Sequence, residues 1–294
     1  FFQRPCVRGF LFRGLFSGAF LQAGVAELTM AAIANGIALH GGVIPVLATF
    51  FVFSDYMKPA IRLSGIQELG VKFVWTHDAF RVGEDGPTHQ PVEQEAQIRL
   101  LEKLKNHSGN PSFLALRPAD SAETSVAWKM ALENKNTPTG LILSRQNIKD
   151  IPAMGASRYK EALAAEKGGY LVKKVDNPDV VLIANGSEVS TLIAAAAILE
   201  SENGLKVNIA SVISEGVFRL QSKEYQNSII PKNKPLFGLT AGLPVNLEGL
   251  VGDNGKVFGL DHFGYSAPAN VLDEKFGFTG EKVSKQVLEY LKTV

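Results

Sequence analysis

A single cysteine, Cys6, excludes an internal disulfide framework and fits a reducing compartment, so a cytoplasmic location is expected. No apolar run approaches the roughly 18 residues that a membrane-spanning helix needs. Neither charge dominates: 30 Lys and Arg stand against 29 Asp and Glu, a net charge of +1. A balance that close leaves no electrostatic footprint for nucleic acid or an anionic membrane, and neither is expected as a partner. Short repeats and low-complexity tracts are also missing. So is an initiator methionine. Residues 1–24 carry Arg4, Arg8 and Arg13 among Phe and Leu, with no acidic residue. We read them as an atypical amino-terminal segment, whose composition suits the interior of a longer polypeptide or an organellar leader.

What is present is an ordinary globular composition, 46% hydrophobic and 20% charged over 294 residues. That length favours two domains over one. From Glu27 onward, short apolar runs alternate with helix-like segments. Residues 28–38 are rich in Ala, Met, Ile and Leu, and Gly41-Gly42 stops them. Apolar, β-branched runs at 43–53, 71–76, 113–117 and 140–144 read as strands, with helical spacing at 56–69 and 122–133 between them. Residues 147–170 mix charge with Pro152, Gly155 and Gly168-Gly169 and read as a connection. Further strands are expected at 179–184, 207–212, 235–239 and 256–260, with an alanine-rich helix at 188–200. The reading is therefore α/β, two domains, each a mainly parallel sheet with helices on both faces. Its divisions are 1–24, a first domain at 25–150, a linker at 151–172 and a second domain at 173–294.

Chemistry concentrates between positions 77 and 94. Gly83, Gly86 and Pro87 make a tightly turned loop that carries Glu84, Asp85, His89 and Gln90. It follows a strand whose end bears His77 and Asp78, and carboxyl ends of strands are where α/β sheets bind ligands. One imidazole in a turn would be incidental. This density of titratable groups suits a catalytic or binding loop.

The run T-H-D-x-x-x-V-G-E-D-G-P-T-H-Q-P-V-E-Q, residues 76–94, is similar to the transketolase signature. Also transketolase-like are A-A-I-A-N-G-I-A-L-H-G-G (31–42), T-F-F-V-F-S-D-Y (49–56), R-P-A-D (117–120) and L-S-R-Q-N (143–147). V-G-D-N-G-K-V-F-G-L-D-H-F-G-x-S-A-P (251–268) resembles the family's last domain. The resemblance runs in order from about residue 24 to the carboxy terminus. It implies a thiamine diphosphate-binding fold at 25–150, the pyrimidine-binding domain, followed by a transketolase C-terminal-like domain.

Carried over residue by residue, the resemblance implies that Glu27 hydrogen-bonds the aminopyrimidine of thiamine diphosphate and activates the cofactor. Phe50, Phe53 and Tyr56 match the rings that hold that pyrimidine. On spacing alone, these rings suit an ordinary core equally well. His77, Asp85, His89 and Arg145 match substrate-facing residues: His89 near the donor's hydroxyls and reacting carbonyl, His77 toward the sugar-phosphate end. Asp85 would read the C2 hydroxyl, and Arg145 would grip phosphate through its guanidinium fork. No role is assigned to His40, His107 or His262.

The sequence departs from the family in two ways. Around Glu27 the neighbours are Ala26, Leu28 and Thr29, where the family usually has Arg before the glutamate and His or Phe, then Ala, after it. The G-D-G motif with a following Asn, which holds diphosphate through Mg or Ca, is not found, and Asp253-Asn254-Gly255 is no substitute. None of this chain's residues is therefore expected to ligate the metal, and a pyrophosphate-binding domain or subunit is expected as partner, in a dimer. The implied activity is transfer of a two-carbon ketol unit between sugar phosphates, this chain supplying half of the site. Two alternatives stay open: a non-catalytic dimerisation or regulatory module, and a dihydroxyacetone synthase.

Overall fold

The computed structural model describes residues 20–155 and 157–294. Cys6 and the three arginines of the atypical amino-terminal segment lie outside the described residues. The first domain runs α1 (Glu27–His40), β1 (Val46–Phe50), α2 (Ser54–Ile66), β2 (Lys72–Thr76), α3 (Gln94–Lys103), β3 (Leu114–Leu116), α4 (Ser121–Glu133) and β4 (Thr139–Ile142). Helix α1 ends where the Gly41 N–H bonds the Ile37 carbonyl. The four strands are all parallel in the order β1-β2-β4-β3. Register pairs Phe50 with Thr76 and Trp75 with Ile142, so the carboxyl ends line up along one edge.

The second domain follows with α5 (Arg158–Ala162), β5 (Tyr170–Lys173), β6 (Val180–Ala184), α6 (Glu188–Asn203), β7 (Val207–Ser211), α7 (Glu215–Arg219) and α8 (Lys223–Ile229). It closes with β8 (Leu236–Leu239), α9 (Val245–Val251), β9 (Lys256–Phe258), α10 (Ala269–Phe276) and α11 (Gly280–Leu291). Its sheet has the order β5-β7-β6-β8-β9, parallel except for β5, which pairs antiparallel with β7. Strands β6 and β7 are buried along their whole length, which explains why β6 reads as an unbroken apolar run. The mainly parallel α/β architecture expected from the sequence is the one observed.

The stretch read as linker is more ordered than its composition suggests. It holds α5, a 3-10 turn at Leu163–Lys167 and the start of β5. Asp120 ties it down: one carboxylate oxygen accepts from the Ile151 N–H at 3.1 Å and from Arg158 Nε at 2.7 Å. The Tyr170 hydroxyl donates to Glu123 at 2.8 Å. These partners come from α4, across the chain, and local composition cannot reveal them.

The two domains share one apolar core. Val74, Phe80 and Leu116 of the first belong to the same buried cluster as Leu182, Phe237 and Phe278 of the second. Phe80 sits edge-on to Phe276 and Phe278, at 5.1 and 5.0 Å between ring centres. Such pairs hold better than area alone suggests, each by about 0.5–1.5 kcal/mol. Among the described residues no helix is long and apolar enough to cross a membrane.

One buried charge lies away from the strand carboxyl ends. Lys72 is 1% exposed and donates to the Asn134 carbonyl at the end of α4. Among the described residues no carboxylate pairs with it. Burial pushes its amine down to about 8. A folded-state value below the unfolded one means the unfolded chain holds more protons between those two values, so stability rises with pH there. The unfolding free energy of the wild type, measured against Lys72→Met, is expected to climb by about 3 kcal/mol between pH 7.5 and 10.5. A flat difference in urea unfolding across that window would refute the assignment.

Candidate active site

The carboxyl edge of the first sheet gathers rings. β1 ends at Phe50 and turns through the 3-10 segment Phe51–Phe53 into α2, which places Phe53 and Tyr56 on successive turns. Phe50 and Phe53 lie 6.1 Å apart and within 9° of parallel; Phe53 and Tyr56 lie 6.0 Å apart at 28°. Phe51, between them in sequence, turns the other way into the core beside Trp75. The fork is steric: one side of the turn faces the sheet, the other the open edge. So the spacing argument for a plain core describes Phe51, while Phe50, Phe53 and Tyr56 form a ladder with Tyr56 exposed.

The two imidazoles join this ladder. His77 follows β2 and stacks on Phe50 with ring centres 3.5 Å apart. His89 meets the Phe53 ring edge-on at 5.5 Å. Each imidazole Nδ1 is paired with the preceding hydroxyl, Thr76 at 2.9 Å and Thr88 at 2.8 Å. Those contacts leave each Nε2 as the nitrogen available to a ligand. Burial holds the His77 imidazole below the usual histidine range, reinforced by the Arg145 charge and His89 and partly opposed by Asp85. His77, Asp85, His89 and Arg145 are therefore within electrostatic reach of one another. At neutral pH His77 is an uncharged imidazole.

His77 has a backbone φ of +64°, a left-handed conformation that costs a non-glycine residue about 1–2 kcal/mol. Its neighbour explains how that persists. Asp78 is buried and accepts from Arg117 at 2.7 and 3.1 Å. Arg117, at the end of β3, is itself 1% exposed and also donates to Glu188 and to the Asn185 side chain at 2.6 Å. Glu188 opens α6 of the second domain and accepts from Arg81 at 2.9 Å; Arg81 reaches Asp273 at 2.7 Å. Gly186 lies under the guanidinium, where a Cβ would come within 2.8 Å of Arg117. That close approach, with a φ of +57°, is why the Asn185-Gly186-Ser187 turn carries a glycine.

The loop 83–90 is fastened to the second domain as well. Gln90 Nε2 donates to the carbonyls of Phe80, Gly83 and Tyr265, at 3.0, 3.1 and 2.9 Å. The Ser266 hydroxyl donates to the Glu84 carbonyl. A Cβ at Gly264 would fall 1.8 Å from Gln90 Oε1. Sequence reasoning gave no role to Gln90, Arg81 or Glu188, nor to Arg117 beyond its motif. Their partners lie as much as 192 residues away. Charged residues at otherwise apolar strand ends were the available signal.

Glu27 stands apart. It is the first residue of α1, partly buried, and no hydrogen bond or ion pair joins it to the ring cluster among the described residues. Arg145 is exposed in the turn after β4. Among the described residues no cluster of three or more His, Cys, Asp and Glu is arranged to hold a metal ion.

These features place the chain among two-domain parallel α/β proteins that bind ligands at strand carboxyl ends. Two family models match it: "Transketolase, pyrimidine binding domain" over residues 2–150, and "Transketolase-like TK C-terminal domain" over 168–279. The chain belongs to the transketolase family. It is 43% identical over 267 residues to the transketolase of Staphylococcus aureus (strain MW2), covering 90% of this chain and 38% of that one. Transketolase from Leishmania mexicana superposes with a TM-score of 0.84 at 38% identity, over 94% of this chain and 38% of that chain. A structure described as "Split gene transketolase, inactive beta4 tetramer" superposes with a TM-score of 0.70 over 93% of this chain and 84% of that one. At 23% identity that likeness is one of fold. The chain spans 38% of the length of the curated relative it matches.

Gln90→Ala removes the amide group whose two N–H bonds are shared among three carbonyls, and about 2 kcal/mol of stability should go with it. Gly264→Ala evicts the same side chain and should cost a similar amount. Because both act through one contact, the double variant should lose clearly less than the sum in urea unfolding. Strict additivity would show that the contact is not shared.

Proposed function

We propose that this chain supplies the pyrimidine-side half of a thiamine diphosphate site that transfers a two-carbon ketol unit between sugar phosphates. The observation that carries the reading is the convergence of Phe50, Phe53, Tyr56, His77, Asp85, His89 and Arg145 at one sheet edge. A flat, partly open ladder of rings fits a heteroaromatic such as an aminopyrimidine. Thiamine diphosphate, when bound, supplies carbanion chemistry that no side chain of this protein offers.

The chain's own residues divide the remaining work. Glu27 would hold a proton at the pyrimidine nitrogen of the bound cofactor, and Phe53, flanked by Phe50 and Tyr56, would give that ring its resting face. His77, uncharged, donates or accepts through Nε2 toward the sugar phosphate without adding charge. His89 reaches the donor's hydroxyls and reacting carbonyl. Asp85 accepts from the C2 hydroxyl and so selects its configuration. Arg145, exposed at the rim, takes the phosphate through its planar fork.

The diphosphate and its Mg or Ca fall to a pyrophosphate-binding unit, whether on the same polypeptide or another, and the assembled enzyme is a dimer in the cytoplasm. One face of this chain is suited to such docking. Val25, Leu28, Ile33 and Leu39 of α1 and its lead-in are exposed together with Val43, Ile44 and Val46 at the edge strand β1. Exposed apolar side chains along an edge strand and the helix beside it suit an interaction surface. This chain alone is expected to be inactive, because the pyrophosphate-binding unit supplies the other half of the site.

The test is reconstitution. The chain is mixed with a pyrophosphate-domain partner, thiamine diphosphate and Mg²⁺, and ketol transfer from xylulose 5-phosphate to ribose 5-phosphate is followed. Turnover is expected with the partner, falling by about 10²–10⁴-fold in Glu27→Gln. Phe53→Ala should weaken cofactor binding roughly tenfold, read by titration calorimetry. Absence of turnover with every such partner, in the longer parent chain as well, would leave the non-catalytic module standing instead.

A further inference from the structure

We infer that Glu188, in the second domain, is a positioning residue for the substrate-facing imidazole of His77. This rests on the proposed ketol-transfer reading and extends it to a residue outside the ring cluster.

The argument is a chain of contacts. Glu188 is completely buried, and each carboxylate oxygen accepts from a different arginine of the first domain: Oε1 from Arg81 at 2.9 Å, Oε2 from Arg117. The Ser187 hydroxyl adds a third donor at 2.8 Å. Arg117 then grips Asp78 with two N–H groups, and Asp78 directly follows the left-handed His77. Arg81 lies two residues before Gly83, where the loop bearing Asp85 and His89 begins. One carboxylate therefore fixes the backbone on the carboxyl side of His77 and the entry to the loop. Among the described residues Asp78 Oδ1 has no hydrogen-bond partner, and Arg117 is the anchor that holds the other oxygen. The purely structural account, in which Glu188 only joins two domains, would not require the arginines it holds to bracket the site.

Glu188→Gln keeps the shape and removes the charge that both guanidiniums share. Imidazole ¹⁵N resonances and the titration of His77, read by NMR on the full chain without cofactor, are the primary measurement. We expect the His77 resonances to move and its titration midpoint to shift toward that of a free histidine. Leu199→Ala, buried in α6 away from the network, controls for lost stability and should leave His77 as in the wild type. In the reconstituted enzyme, Glu188→Gln should raise KM for the sugar phosphate about tenfold while kcat changes less than threefold. If Glu188→Gln does not fold, Asp273→Asn at the partly exposed end of the network is read the same way. His77 resonances identical to wild type in the folded variant, or moved equally by Leu199→Ala, overturn the inference. The NMR result needs no turnover, so loss of this coupling and loss of the ketol-transfer reading are separate outcomes.

Discussion

A guanidinium with 1% exposure cannot remain in a protein interior unless its charge is met by carboxylates and its N–H groups by acceptors. Arg117 meets both conditions only by drawing on two domains at once: Asp78 from the loop after β2, and Glu188 with Asn185 from the turn after β6. Its backbone is used in the same way. The Arg117 N–H bonds the Ile213 carbonyl, and its carbonyl accepts from Gly186. The end of β3 is thereby set between the strand ends of the second sheet. Removing Arg117 itself would leave Asp78 and Glu188 as buried acids without the cation they share, the kind of loss that costs about 3–5 kcal/mol. The relative placement of the two domains, and of every loop rooted at this junction, depends on that arrangement.

The network is not balanced in charge. Arg81, Arg99 and Arg117 face Asp78, Glu95, Glu102, Glu188 and Asp273. Burial pushes the carboxyls of Asp78 and Glu102 up, despite the arginines beside them, while Glu188, gripped by two, is held down. Asp78 keeps one oxygen without a hydrogen-bond partner among the described residues, while Arg117 holds the other with two N–H groups. At the imidazole one residue earlier burial again disfavours the charged form, with Arg145 and His89 adding to it. Two neighbouring groups thus divide the work, one fixing geometry and one facing outward.

The strands were legible because buried parallel strands are apolar throughout, as β6 shows in Val180–Ala184. Loop 83–90 was legible because Gly83, Gly86 and Pro87 declare a turn and the residues beside them declare polarity. What could not be read is pairing at a distance. Arg81 and Glu188 are 107 residues apart, and Gln90 and the Tyr265 carbonyl 175. Neither spacing leaves a periodic trace. The ordered stretch at 158–173 was hidden for the same reason, because Asp120 and Glu123 of α4 hold it while its own composition reads as a connection. The short helices α7, α8 and α9 have five to seven residues, too few to display a clear 3.6-residue period. Glu27 illustrates the converse case: its assignment comes from resemblance, and no contact among the described residues reinforces it.

The contrast between the two sides of the site argues for how it is completed. On the side of the junction, every element is closed: Asp78, Arg81, Gln90, Arg117 and Glu188 are buried and the loop is fastened at several points. On the other side Tyr56, Asp85 and Arg145 are exposed and Phe53 is only partly covered. Electrostatic and stacking interactions act strongly only where water is excluded. A wall built this firmly on one side, facing a surface open on the other, works as a site when a second surface closes over it. The strain at His77 then has a use before that surface arrives. It holds the imidazole against Phe50 in advance, so that docking need not spend binding energy on ordering it.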